Sequence, residues 1–163
     1  MKLSSFWINH LGLEKFDKGG YLKETYRSSL PIPMMVPFSG ERAASTAIYY
    51  LLEFGDFSGF HRLLSDEMWH YYAGDTLFIY ELLTDGRLKT HRLGKDVLSG
   101  EVLQLVIPAG NWFAERVETP DGFSLSGCTI APGFDYADAV MGNRMELIKE
   151  FPQHEQLISS LAY

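Results

Sequence analysis

Two side chains in the stretch Gly55 to Gly74, GDFSGFHRLLSDEMWHYYAG, are of the types that proton transfer requires: His61 and Glu67. An imidazole titrates at about 6.5, so near neutral pH it can take a proton from a carbon next to a carbonyl. Such chemistry also needs a carboxylate that orients the ring and a donor on the other face of the carbon. Glu67 is the carboxylate at hand. In an extended strand Glu67, Trp69 and Tyr71 share one face, and Met68, His70 and Tyr72 share the other. Tyr71 is therefore the best-placed donor, and Trp69 offers a flat wall on which a sugar ring or a base could stack. A metal is the alternative, because two histidines and one carboxylate can form a facial set, here His61, Glu67 and His70. Alternation puts His70 opposite Glu67, so no cofactor is favoured. A divalent metal on that set would need a bulge to bring His70 round.

The elements that must position these residues are mostly short strands. Aromatics make up 14% of the chain and fall in brief runs punctuated by Gly, Asp and Pro, a pattern that suits an all-β core. Strands are predicted at 25–29, 46–54, 60–64, 67–72, 76–83, 88–93, 102–107, 112–118 and 123–130. Asp85-Gly86 and the Thr119-Pro120-Asp121-Gly122 segment supply tight turns between them. Residues 4–11 carry apolar side chains at helical spacing and read as a short helix. Two more helices are expected at 142–151 and 153–161, broken at Pro152. Eight to ten short strands at this spacing imply a sandwich or barrel. Nothing in the composition divides the chain, so residues 1–163 are expected to form one domain.

Bulk properties exclude several classes. A net charge of −7 with no Lys/Arg cluster argues against a nucleic-acid polymer as partner. No stretch reaches the roughly eighteen apolar residues of a membrane span. The N-terminal residues lack an apolar signal-type segment, and the single cysteine, Cys128, can form no internal disulfide. A cytoplasmic location is the expectation.

The spacing in the same stretch resembles the first motif of the cupin superfamily: Gly, five residues, His-x-His, three or four residues, Glu, six residues, Gly. Gly55, His61, Glu67 and Gly74 match it, while Leu63 stands at the second histidine. EVLQLVIPAGNWF resembles the second motif through Pro108 and Gly110, with Phe113 at the histidine position. The segments GGYLKETYRSS, HRLLSDEMWHYYAGD, VIPAGNWFA and GCTIAPGF further resemble a small family, cupin-5, whose uncharacterised members are sometimes labelled predicted sugar epimerases. The resemblance runs over about residues 5–140. It implies an antiparallel cupin jelly-roll barrel with a short N-terminal helix and C-terminal helices. Typical cupins hold a divalent ion with three histidines and a carboxylate, of which only His61 and Glu67 remain here. Dehydrorhamnose epimerases are cupins that work without metal, and their Gly-Leu-His sequence is similar to Gly59-Phe60-His61. By that likeness His61 is the base and Glu67 its partner in a sugar or nucleotide-sugar epimerase or isomerase; the donor in that family is a tyrosine whose motif none of the nine here matches, and alternation makes Tyr71 the choice. A non-catalytic binder of small ligands and a metal-dependent oxygenase or isomerase are the alternatives.

Further residues complete the expected pocket for a carbohydrate or nucleotide-linked ligand. Trp112 follows the Pro-x-Gly turn as a wall. Thr46 and Gln104 interrupt apolar strands, either as ligand-binding groups or as satisfied interior polar groups. Cys128 is expected to be buried and inert, His10 partly buried, and His91 and His154 on the surface. Asp135 and Asp138 are expected to cap the C-terminal helix or stay solvated, and residues 40–42 to form a mobile loop. The strands at 25–29 and 46–54 read as an apolar sheet edge that a homodimer with a two-fold axis would cover.

Overall fold

The computed structural model describes residues 3–163. In chain order its elements are α1 (Leu3–Leu11), β1 (Glu14–Lys15), β2 (Tyr21–Arg27), β3 (Pro31–Ile32), β4 (Arg42–Ala43), β5 (Thr46–Glu53), β6 (Phe57–Leu63) and β7 (Asp66–Gly74). There follow β8 (Leu77–Leu82), β9 (Leu88–Leu93), β10 (Gln104–Ile107), β11 (Trp112–Val117), β12 (Phe123–Ala131), β13 (Ala139–Met141), α2 (Arg144–Glu150) and α3 (Glu155–Leu161). A 3-10 turn at Pro152–His154 separates α2 from α3, where the proline forbids a continuous helix. No helix among the described residues is long and apolar enough to cross a membrane.

Two antiparallel sheets face each other, the sandwich or barrel that the strand spacing implies and the jelly roll that the resemblance implies. One has the order β1-β2-β5-β12-β7-β10 and the other β13-β6-β11-β8-β9. Period-two alternation sorts the side chains into three layers. Tyr50, Leu52, Trp69, Leu77, Ile79, Leu93, Ile107, Phe113, Val117 and Cys128 line the space between the sheets. On the outer face of the five-stranded sheet, Phe60, Tyr80, Leu82, Trp112 and Ala114 pack under Leu147 of α2 and Ile158 and Leu161 of α3. On the outer face of the six-stranded sheet, Leu51, Phe123 and Leu125 pack with Trp7, Ile8 and Leu11 of α1. Leu51, Leu52 and Leu77 are fully buried, each worth roughly 1.5–3 kcal/mol relative to exposure.

Several expectations about elements are corrected. β2 starts earlier and ends at Arg27, short of the expected 25–29 span. The 46–54 strand is no edge: β5 is paired with β2 on one side and β12 on the other, so its backbone groups are satisfied along its length. Residues 40–42 are no mobile loop. Arg42 is 7% exposed and donates to both carboxylate oxygens of Asp138, Nε to Oδ2 at 2.7 Å and Nη2 to Oδ1 at 2.6 Å. Asp138, expected to cap or stay solvated, is thus the buried acceptor of an ion pair joining residues 96 apart. Asp135 caps only the 3-10 turn Tyr136–Asp138, accepting from Ala137 N, and it is Asn143 that caps α2.

Candidate functional site

The inner face of the five-stranded sheet owes its polar groups to an irregularity in β6. Phe113 pairs with His61 and Glu115 with Ser58, so two steps on β11 match three on β6. That bulge turns Phe60 out into the helix-covered layer and leaves both Ser58 and His61 facing the lumen. Gly59 occupies the bulge because the Tyr163 ring lies where a side chain would go: a Cβ there would sit 2.5 Å from Cε2 of Tyr163. The Gly59 carbonyl accepts from His61 Nδ1 at 2.9 Å. A carbonyl can only accept, so the proton is on Nδ1 and the lone pair on Nε2. The His61 ring lies on Phe113, centroids 4.1 Å apart. Burial pulls the His61 pKa down to about 4, against a smaller upward pull from the Gly59 bond. At neutral pH it is an uncharged imidazole.

On the facing sheet, Glu67 and Trp69 of β7 and Cys128 of β12 point into the same lumen. Cys128 pairs with Trp69, and Ile130 with Glu67. Glu67 is 6% exposed, and its Oε2 has no hydrogen-bond partner. Burial pushes its pKa up to about 7, while Cys128 and Trp69 beside it pull weakly the other way. Glu67 is therefore poised to exchange a proton at neutral pH. Glu115 is fully buried, with neither carboxyl oxygen partnered. Burial first, and the nearby Glu67 second, hold its pKa well above the ordinary carboxyl range. Burial likewise pushes the Cys128 thiol up, which leaves it unreactive.

A second polar cluster lines the lumen on β8 and β9. Glu81 is 2% exposed; its Oε2 accepts from His91 Nε2 at 2.7 Å and its Oε1 from Asn111 Nδ2 at 2.6 Å. The sequence reading placed His91 on the surface and left Glu81, Asn111 and Glu115 unnoticed. Alternation could have found three of them. Glu115 lies two residues beyond Phe113, Glu81 two beyond Ile79, and His91 two before Leu93, each on the lumen-facing register.

The remaining expected site residues are distributed as follows. Trp69 is in the lumen. Tyr71 is on the lumen side too, but its hydroxyl donates to Gly74 O at 2.7 Å, at the far end of β7. Four residues along a strand separate it from Glu67 by about 13 Å. Thr46 is a satisfied interior group whose Oγ1 accepts from Phe134 N at 2.9 Å. Trp112 is no pocket wall: it lies on the outer face under α2 and α3, with the Arg62 guanidinium 4.5 Å from its ring. Gln104 is exposed outside the barrel and donates to His70 Nδ1 at 2.9 Å, while His70 Nε2 donates to Thr129 Oγ1 at 3.0 Å. His61 and Glu67 share no hydrogen bond, since the imidazole proton goes to Gly59. His10 is exposed against Phe6, and His154 is held by the Gly86 carbonyl.

These placements decide the fit of a metal. His70 projects from the opposite face of β7, so the set His61, Glu67 and His70 does not converge. Leu63 and Phe113 stand at the other two positions at which typical cupins place histidines, and the Phe113 ring covers the flank of His61. No group of three or more His, Cys, Asp or Glu donors gathers among the described residues. The residues present do not fit an ion held by three histidines and a carboxylate. What they offer is a lone-pair nitrogen on His61, two carboxyls and the Trp69 N–H within one aromatic-walled lumen.

The family model described as Cupin superfamily (DUF985) matches residues 5–142. The uncharacterized protein YML079W of Saccharomyces cerevisiae is 33% identical over 144 residues, covering 80% of this chain and 71% of that protein. Among solved structures, a hypothetical protein from Leishmania major superposes with TM-score 0.90 at 35% identity, over 98% of each chain. Protein SO0799 from Shewanella oneidensis gives 0.86 at 36% identity, over 100% of this chain and 98% of that one. Oxalate decarboxylase from Bacillus subtilis shares the fold, with TM-score 0.57 at 15% identity over 90% of this chain and 36% of its own.

Proposed function

The chain belongs to the cupin superfamily, and on that premise we propose that its barrel lumen performs metal-independent proton transfer on a small ligand, in the manner of a sugar isomerase or epimerase. The observation that carries this reading is Glu67: a carboxyl facing the lumen, 6% exposed, with Oε2 unpartnered and a pKa raised by burial to about 7. A general base works best when its pKa lies near the working pH. Glu67 takes the proton from a carbon next to a carbonyl: the C–H bond breaks, the carboxyl O–H forms, and the electron pair moves to the carbonyl oxygen. Return of that proton to the adjacent carbon, as the hydroxyl proton there passes to the former carbonyl oxygen, completes isomerisation, and a proton delivered from solvent to the other face of the same carbon completes epimerisation. His61, with its pKa drawn down to about 4, is the weaker base. Its Nε2 lone pair accepts a substrate hydroxyl and sets the orientation. Trp69 supplies the stacking wall and an N–H. Tyr71 is a wall residue, because its hydroxyl is committed to Gly74.

The test is solvent isotope exchange. Ketoses and aldoses incubated in D2O with the protein should incorporate deuterium next to the carbonyl, as followed by NMR. Glu67→Gln should slow this by about a hundredfold or more, and His61→Asn should act mainly on KM. Ligand binding without exchange for any carbonyl sugar would make the barrel a binding module and end the catalytic reading.

A further inference from the structure

The lumen has an imbalance of hydrogen-bonding groups that specifies what can enter it. Three buried carboxyl oxygens lack partners: Oε2 of Glu67 and both oxygens of Glu115. One buried donor beside Glu67, Nε1 of Trp69, makes no hydrogen bond of ordinary geometry either. Buried polar atoms are normally paired, and an orphan costs about 1–3 kcal/mol. Two such carboxyls from facing sheets, close enough for the charge of one to bear on the other, mark a place where a ligand supplies what the protein does not. The other buried carboxyl of the lumen wall is satisfied by the chain itself, since Glu81 has His91 and Asn111, while two further unpartnered atoms, Trp112 Nε1 and Ser124 Oγ, belong to no carboxyl.

Charge narrows the class. Among the described residues the buried acids are Glu67, Glu81, Glu101, Glu115 and Asp138, and the one buried cation is Arg42, both of whose donor arms engage Asp138. Among the described residues no uncommitted cation faces the lumen, since His91 is taken up by Glu81, and a buried anion without a charged partner is costly. An ammonium ligand would supply donors but no acceptor for Trp69 Nε1. A hydroxyl does both.

We propose that the lumen takes a small, uncharged, hydroxyl-rich molecule, a polyol or hydroxycarbonyl compound, and that Glu115 is the hydrogen-bonding residue at its inner end. This rests on the lumen being the ligand site. Ser58, brought inward by the β6 bulge, stands opposite Glu115 in the strand pairing and completes that end. A nucleotide-linked ligand fits only if its phosphates stay outside the barrel. In the proton-transfer reaction, Glu115 in its neutral form would donate to the oxygen that gains charge, a division of labour between one ionisable and one neutral carboxyl that is known to support enolisation.

The indole N–H resonances of the three tryptophans give a direct readout. Protein labelled with 15N-tryptophan is titrated with dihydroxyacetone, with glycerate and with serinol, three probes of like size that are neutral, anionic and cationic. The Trp69 signal should move with dihydroxyacetone, while glycerate and serinol leave it in place. Glu115→Leu, which fills the same space with an apolar side chain, should weaken that binding about tenfold, and Glu115→Gln should restore part of it. If glycerate or serinol moves Trp69 at lower concentration than dihydroxyacetone, the lumen is still a ligand site but the class proposed here is wrong. Unchanged affinity in Glu115→Leu would remove Glu115 from the site. If no probe moves Trp69, this inference and the function built on the lumen both fail.

Discussion

Glu81 and Glu115 sit on adjacent strands, face the same lumen and are equally hidden from solvent, at 2% and 0% exposure. Their surroundings differ sharply. Glu81 accepts one hydrogen bond at each oxygen, from His91 and from Asn111, and is held as part of the wall. Glu115 accepts no hydrogen bond of ordinary geometry and has only Ser58 beside it, and burial together with Glu67 holds its pKa well above the ordinary carboxyl range. A buried carboxyl kept for structure is paired by its neighbours, because leaving it bare is expensive. One left bare on a lumen wall opposite a second bare carboxyl is placed for something that arrives from outside. The comparison separates wall from site within one sheet, where depth of burial alone does not.

The largest way to break the contrast is to strip Glu81 of its partner. His91→Leu should cost about 3–4 kcal/mol in chemical denaturation, because it leaves a buried carboxylate under-partnered. A cost below about 1 kcal/mol would mean that Glu81 is no better held than Glu115. Next in size is the pH dependence set by Glu67. Its folded-state pKa, raised from 4.5 to about 7, means that the folded chain holds the proton longer than the unfolded one. That contribution is present below pH 4.5 and lost as pH rises through 7, by up to about 3 kcal/mol. Glu67→Gln should flatten this fall in urea midpoints measured from pH 4.5 to 8. His61 works in the opposite sense: its pKa is lowered from 6.5 to about 4, so stability rises as pH climbs through that interval. His61→Asn should therefore steepen the net loss between pH 4.5 and 6.5, and an unchanged slope would count against a desolvated imidazole.

A smaller effect of opposite sign is expected at the bare carboxyl itself. Glu115→Leu should stabilise the fold by about 1–2 kcal/mol while weakening ligand binding, the trade expected of a group kept for function. The smallest effect belongs outside the barrel. Gln104→Ala, which removes an exposed donor to His70, should change stability by no more than about 0.5 kcal/mol and leave isotope exchange untouched.

Most of the architecture was legible because turn chemistry and alternation are local. Asp85-Gly86 and Pro120-Asp121-Gly122 marked where strands end, Pro152 split the last two helices, and period two put Glu67 and Trp69 together on one face. The same rule, applied from Phe113, places Trp112 outside and Glu115 inside. The expectation of Trp112 as a pocket wall gave weight to its residue type over its register. What could not be read locally were events between distant segments. The β6 bulge that lets Ser58 and His61 share a face depends on pairing with β11 and on Tyr163 lying over Gly59. The Arg42–Asp138 pair joins residues 96 apart, and nothing near either one announces it. The Gly59 carbonyl competing with Glu67 for the His61 proton is likewise a product of the bulge.

The position of β12 between β5 and β7 has a consequence for how the chain reaches this state. Thr46 and Glu67 become neighbours of the same residue, Ile130, only when a strand made 63 positions after Glu67 slides between theirs. Pairings of such long sequence separation form slowly, whereas the β8–β9 hairpin closes over a turn of a few residues. Without β12 the six-stranded sheet would part between β5 and β7 and open the lumen to water, where Glu67 and Glu115 would titrate as ordinary carboxylates; with β12 in place they are sealed in and their proton-bound forms are favoured. Closing the barrel around Glu67 and Glu115 is thus coupled to proton uptake, offset in part by the proton that His61 sheds on burial.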